Sequence, residues 1–154
     1  MSDAAKREDA VARWVCFGLG AQDYGLPITQ VHEVLRPAPI EPVPGAPDVV
    51  PGVMNLRGQV VTVIDLRRYL RLSAPAPSAE ARIVVVVHDG ETIGLLVDRI
   101  GQVSKIAADA IKPLPDLHRD GDPFRFVGVV AGEHGLLTLL DVDALLSAFK
   151  VGAR

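Results

Sequence analysis

Arg82-Ile83-Val84-Val85-Val86-Val87-His88-Asp89-Gly90-Glu91-Thr92-Ile93-Gly94-Leu95-Leu96-Val97 is the stretch on which the fold turns. Ile83 to Val87 is an unbroken β-branched run, and a strand without polar alternation is one covered on both faces. Asp89-Gly90 is the strongest short hairpin signal, and Thr92 to Val97 is the returning strand. The same unit occurs once before. Arg13 to Val34 lies over Arg82 to Val103 at a constant shift of 69 (82 − 13), matching Arg13/Arg82, Val15/Val84, Gly25/Gly94, Leu26/Leu95, Ile28/Val97, Val31/Ile100 and Val34/Val103. Ile40-Glu41-Pro42-Val43-Pro44 lies over Ile111-Lys112-Pro113-Leu114-Pro115 at 71 (111 − 40), and a third block at 76 (128 − 52) pairs Gly52/Gly128, Val53/Val129, Thr62/Thr138, Asp65/Asp141, Leu66/Val142, Tyr69/Leu145 and Leu70/Leu146. Three collinear blocks describe a duplication, and the cover for each apolar strand is then the other copy, so the halves are expected to share a core.

Outward from that hairpin, the first copy reads as strands at Trp14 to Leu19, Tyr24 to Ile28, Gln30 to Leu35, Gly52 to Leu56 and Val60 to Ile64, with Gly20-Ala21-Gln22-Asp23 as the first turn. The second copy continues with strands at Gln102 to Ile106, Phe124 to Val130 and Leu136 to Leu140. Each half ends in a short helix, capped by Asp65 or Asp141, whose carboxylate accepts backbone N–H bonds at the positive end of the helix dipole. Leu66, Tyr69 and Leu70, like Val142, Leu145 and Leu146, fall at i, i+3, i+4 and face the core, with Phe149 one turn further. Five strands per half with Gly-rich turns and no βαβ pattern predict a mainly β protein of two small antiparallel barrels. The halves span residues 12–72 and 81–150, joined by a Pro/Ala/Ser linker at 73–80, between tails at 1–11 and 151–154. Pro115 to Pro123 holds most of the second copy's extra length.

At 154 residues and 49% hydrophobic composition the chain is large enough for a core without disulfides or metals, and no apolar run approaches the roughly 18 residues of a membrane span. Met1 to Ala12 has no apolar h-region, which predicts a cytoplasmic protein. The single Cys16 sits in an apolar run and reads as a small core residue. His32, His88, His118 and His134 lie in four separate segments without metal-site spacing, so no metal or other cofactor is expected. Gly18 and Gly20 begin a dinucleotide-like pattern, but a strand follows rather than a helix. Arg57, Arg67, Arg68 and Arg71 cluster without exposed aromatics, and with a net charge of −3 they read as a solvated face, not a nucleic-acid surface.

The copies differ most where Asn55-Leu56-Arg57-Gly58 in the first meets Ala131-Gly132-Glu133-His134 in the second. One half folds without the tetrapeptide, so its role is expected to lie outside folding. Phe17-Gly18-Leu19-Gly20, Tyr24-Gly25-Leu26-Pro27-Ile28, Val31-His32-Glu33-Val34-Leu35, Pro51-Gly52-Val53-Met54-Asn55-Leu56-Arg57-Gly58, Ile64-Asp65-Leu66-Arg67, Gly94-Leu95-Leu96-Val97-Asp98 and Leu139-Leu140-Asp141 together resemble the CheW-like family, which includes chemotaxis adaptors and the regulatory domain of the kinase CheA. The likeness covers roughly Ala12 to Lys150, with Thr62 where the family commonly has Pro. It implies two five-stranded SH3-like barrels around a common core, no catalysis, and an adaptor that couples the cytoplasmic tip of methyl-accepting chemotaxis receptors to CheA in membrane-associated arrays, without itself entering the membrane. Family contact positions map to Val31, Glu33, Gly52, Arg57, Ile83, Val84, Ile100 and Val103. The expectation is an inter-barrel groove floored by Val31, Ile83, Ile100 and Val103, rimmed by Arg57 and Glu33, which contact the partner or each other.

Three other readings fit the same residues less closely: an adaptor for a related circuit controlling pili, gliding or biofilm; a regulatory module of a longer kinase; and a β-barrel nucleic-acid binder or hydrolase, which convergence of His88 with Asp98 in one pocket would signal. The repeat leaves open whether strands exchange between the halves.

Overall fold

The computed structural model describes residues 11–72, 78–113, 126–132 and 135–152. The first copy forms β1 (Val11–Leu19), β2 (Gln22–Pro27), a 3-10 turn (Ile28–Gln30), β3 (Val31–Leu35), β4 (Gly52–Leu56), β5 (Gln59–Asp65) and α1 (Leu66–Tyr69). The second forms β6 (Arg82–His88), β7 (Glu91–Val97), β8 (Arg99–Ala107), β9 (Phe126–Gly132), β10 (Gly135–Leu140) and α2 (Val142–Gly152). Every expected strand is present. The first hairpin is tighter than expected, because Gln22 and Asp23 pair with Leu19 and Gly18 and leave Gly20-Ala21 alone as the turn. The linker at 73–77, the loop at 115–123, Glu133-His134, the Phe149 side chain and most of both tails lie outside the described residues.

The strands exchange. One sheet has the order β8-β1-β2-β10-β9 and the other β3-β6-β7-β5-β4, so each contains the first two strands of one copy and the last three of the other. The exchange obeys the repeat: Thr138 pairs with Tyr24 in one sheet as Thr62 pairs with Ile93 in the other. These two contacts are parallel, whereas purely antiparallel barrels were expected. A parallel pair arises because β2 and β10, like β5 and β7, come from different copies and need no hairpin between them.

Burial explains the apolar run from Ile83 to Val86. On β6, Ile83 and Val85 point into one barrel with Met54, Val61 and Val63. Val84 and Val86 point the other way, into a seam with Phe17, Leu19, Leu26, Leu95 and the helix residues Leu66, Tyr69, Val142, Leu145 and Leu146. The second barrel is filled by Trp14, Ile106, Leu137 and Leu139. The shared core is thus a third cluster between two barrel interiors. Both caps form: Asp65 Oδ1 accepts from the Arg67 N–H at 3.0 Å, and Asp141 Oδ1 from the Ala144 N–H at 3.0 Å. Tyr69 donates to the Leu145 carbonyl at 3.1 Å and joins the two helices inside the seam.

Candidate functional site at the edges of the β3–β4 sheet

Asn55-Leu56-Arg57-Gly58 closes the β4–β5 hairpin. Leu56 pairs with Gln59, leaving a two-residue turn with Arg57 at φ 52° and Gly58 at φ 83°, both left-handed as a type I′ turn requires. Asn55 Oδ1 accepts the Gly58 N–H at 2.8 Å and holds the turn. Gly58 is at ease there, but a side chain in the left-handed region costs roughly 1–2 kcal/mol. Arg57 directs its guanidinium to the carboxylate of Glu33 on β3. β3 and β4 are the two open edges of their sheet, so this pair bridges the gap that hydrogen bonding leaves. Arg57 is 67% exposed and Glu33 22%, and an ion pair so solvated is worth under about 1 kcal/mol. Strain and pairing nearly cancel, leaving Arg57 without a net folding role. The other sheet carries Gln102 where Glu33 stands, and no ion pair of this kind is open to it.

The remaining expected contact residues separate into two groups. Val31 and Ile100, equivalent in the repeat, both pack against the seam cluster from the edge strands β3 and β8, and Val103 beside Ile100 is 52% exposed. Ile83 and Val84 have no exposed surface. They do not floor a groove: one fills a barrel, the other the seam, because successive residues of a strand covered on both sides face opposite interiors. Gly52 is buried as well, and a Cβ there would lie 2.1 Å from the Glu41 carbonyl oxygen. The repeat places Gly128 under the same constraint, 2.5 Å from the Lys112 oxygen, which identifies the glycine as a requirement of backbone packing.

A second polar cluster was not anticipated. Arg67, expected on a solvated helix face, is only 15% exposed and grips Asp98 with Nε 2.8 Å from both carboxylate oxygens. Asp98 Oδ2 also accepts the Gly20 N–H at 2.6 Å, and Arg99 donates to the Gly20 carbonyl at 2.6 Å. The Arg67 hydrogen bond, and then the Gly20 N–H, hold the Asp98 carboxyl below the usual carboxylate range against the opposing effect of its partial burial. The cluster ties α1, the β7–β8 junction and the β1–β2 turn, and so clasps one barrel to the other. No local spacing announces it, since Arg67 and Asp98 are 31 residues apart.

His88 does not converge with Asp98. Its Nδ1 meets Asp143 Oδ1 at 2.8 Å, Gln30 donates to the same oxygen at 2.9 Å, and Ser147 Oγ lies 3.5 Å from Nε2. The order Ser147–His88–Asp143 is that of a nucleophilic triad, but Asp143 is 68% exposed rather than buried behind the imidazole. These contacts fasten α2 to β6 and to the turn before β3. Among the described residues no group of three His, Cys, Asp or Glu side chains converges to hold a metal ion.

The chain is similar to known proteins over most of its length. The chain is 31% identical over 147 residues to the chemotaxis protein CheW of Helicobacter pylori, covering 94% of this chain and 88% of that one. It is 32% identical over 146 residues to CheW of Rhizobium meliloti, with 94% of each chain covered. The crystal structure of the scaffolding protein TtCheW from Thermoanaerobacter tengcongensis superposes with a TM-score of 0.80 at 30% identity, over 87% of this chain and 86% of that one. The CheW-like domain model matches residues 13–150, and with that span, these relatives and the paired five-stranded sheets, the chain belongs to the CheW-like family of chemotaxis scaffolding adaptors.

Proposed function

We propose that this adaptor bridges the cytoplasmic tip of methyl-accepting chemotaxis receptors and the regulatory domain of the histidine kinase CheA, in the cytoplasm at membrane receptor arrays, and that it works by binding alone. Its contact surface is the flank of the seam. Val31, Ile100 and Val103 supply apolar area for a helical hairpin, and Arg57 with Glu33 supplies the polar rim that fixes its register. The observation that carries this reading is Arg57 itself, held by Asn55 in a conformation that disfavours it, at a sheet edge where it adds almost nothing to folding. Such a contact is of the transient kind that buries below about 1,200 Å², strengthened in arrays by multivalency.

The test is titration of the purified chain against a receptor-tip helical hairpin and, separately, the CheA regulatory domain. Arg57→Glu places a carboxylate against Glu33 and is expected to weaken at least one of these contacts by an order of magnitude or more. Unchanged binding to both, with the fold intact by circular dichroism, overturns the site.

A further inference from the structure

The internal repeat supplies a control for packing inside each barrel, and the two interiors are not filled alike. In the β3–β4 barrel, Leu35, Leu56 and Val85 pack with Met54, Val61, Val63 and Ile83. The repeat shifts of 69 and 76 place Ser104, Gly132 and Cys16 at the equivalent positions of the β8–β9 barrel. Three aliphatic side chains are thus replaced by a hydroxymethyl, a hydrogen and a thiol, and all three positions line one cavity. Trp14, in place of Ile83, is buried in the same barrel. The result is a half-open cavity of about 530 Å³, bounded by Cys16, Ser104 and Gly132, floored by Ile106 and Leu137, with Lys105 at its edge. This is within the roughly 300–1,000 Å³ of small-molecule sites.

We infer that this cavity is a binding site for a small amphiphilic acid, an apolar body carrying one anionic group. Ile106 and Leu137 supply the apolar contact such a body needs, and Cys16 Sγ and Ser104 Oγ satisfy one another at 3.5 Å. The charge preference comes from the rim. Asp23 is neutralised by Arg99 at 3.3 Å, whereas exposed Lys105 has no ion-pair partner among the described residues. A cation with no such partner among the described residues, beside a hollow lined in part by apolar side chains, selects an anion with a hydrophobic tail.

Trp14 is the only tryptophan and packs against Cys16, Ile106, Val130 and Leu137, which also line the cavity, so it reports on occupancy. The full chain is titrated with anilinonaphthalenesulfonate, an apolar body with one acidic group, and energy transfer from Trp14 is read as the probe's fluorescence rises. A single saturable site is expected. Cys16→Val with Ser104→Leu restores the filling of the other barrel, and it should weaken the probe at least about tenfold without lowering Tm. Lys105→Met changes only an exposed side chain; it should weaken the anionic probe about fivefold and spare uncharged anilinonaphthalene. Undiminished probe affinity in the filled variant, or equal loss of charged and uncharged probe on Lys105→Met, overturns the assignment. So does a native chain that binds no probe while the filled variant loses the CheA regulatory domain, which would make the hollow a socket for a protein side chain.

Discussion

Replacing Arg57 with glycine separates what the β4–β5 turn does for folding from what it does for binding. The left-handed conformation at φ 52° costs an arginine roughly 1–2 kcal/mol, and glycine removes that cost. Against this stand about 0.4–1 kcal/mol for the greater freedom of glycine in the unfolded chain and under about 1 kcal/mol for the lost contact to Glu33, discounted because the guanidinium is two-thirds exposed. The terms cancel to within about 1 kcal/mol, so urea unfolding should give a midpoint close to that of the native chain with an unchanged m-value. Asn55 still holds the Gly58 N–H, and the hairpin register is retained. Binding should behave differently. Loss of the rim cation is expected to weaken the receptor hairpin or the kinase regulatory domain by about tenfold or more, equivalent to about 1.4 kcal/mol, read by isothermal titration. Combining it with Glu33→Gln completes a double-mutant cycle whose coupling term isolates the pair from its separate contacts with the partner. A loss of more than about 2 kcal/mol in stability, or binding equal to the native chain, would refute the reasoning, since Arg57 would then be structural or idle.

Gly52→Ala forces a methyl to within 2.1 Å of the Glu41 carbonyl and should cost about 3 kcal/mol or more, or prevent folding, as read by thermal melting of the soluble fraction. Arg71, at φ 61°, follows the cap of α1, and the Leu72 N–H bonds to the Arg67 carbonyl at 2.8 Å while the Arg71 N–H bonds to that of Arg68 at 3.1 Å. That is the Schellman arrangement in which glycine is preferred, so Arg71→Gly should raise stability by up to about 1 kcal/mol in chemical denaturation. Asp98 has a depressed folded-state pKa, so its contribution is present above the unfolded carboxylate range near 3.9 and is lost as pH falls through the lower folded value. Asp98→Asn should therefore be less stable than the native chain by about 1.5–3 kcal/mol at pH 7, with the gap closing below about pH 4; a gap constant across melts from pH 7 to pH 3 would show that the charge is not what matters.

Much of this fold is legible because its signals are local. Asp89-Gly90 does adopt the left-handed pair expected of it, and Asp65 and Asp141 cap their helices because one residue type in one place settles each outcome. The shared seam follows from Val84 and Val86 having as much apolar surface as Ile83 and Val85. Strand exchange is not legible, because β1 and β2 present the same hydrogen-bonding edge and the same alternation whichever copy completes their barrel. For the same reason a motif identifies Ile83 and Val84 but does not say which interior each faces. Arg67 reads in the sequence as part of an exposed helix face because it follows a cap, and only the fold brings Asp98 to it. The pairing of Arg57 with Glu33 could be framed beforehand as one of two outcomes, since both belonged to one candidate rim; the structure has them facing each other.

The exchange also bears on how the seam is held rigid in a protein this small. Were each copy to close its own barrel, the seam would be an ordinary interface between two domains, and the angle between Val31 and Ile100 would vary with any looseness in the linker. With β2 hydrogen-bonded to β10 and β5 to β7, the two copies are joined by backbone ladders on both sides of the seam. Slippage there would break hydrogen bonds and shift every side chain to the wrong face. The Arg67–Asp98–Gly20 clasp spans the same boundary from outside, and Tyr69 crosses it from within. Edge strands β3 and β8 each carry an exposed apolar residue, Val34 and Val103, at equivalent positions of the repeat. For a scaffolding adaptor this is a division between stiffness, in the ladders that hold the two barrels together, and accessible side chains at the open edges.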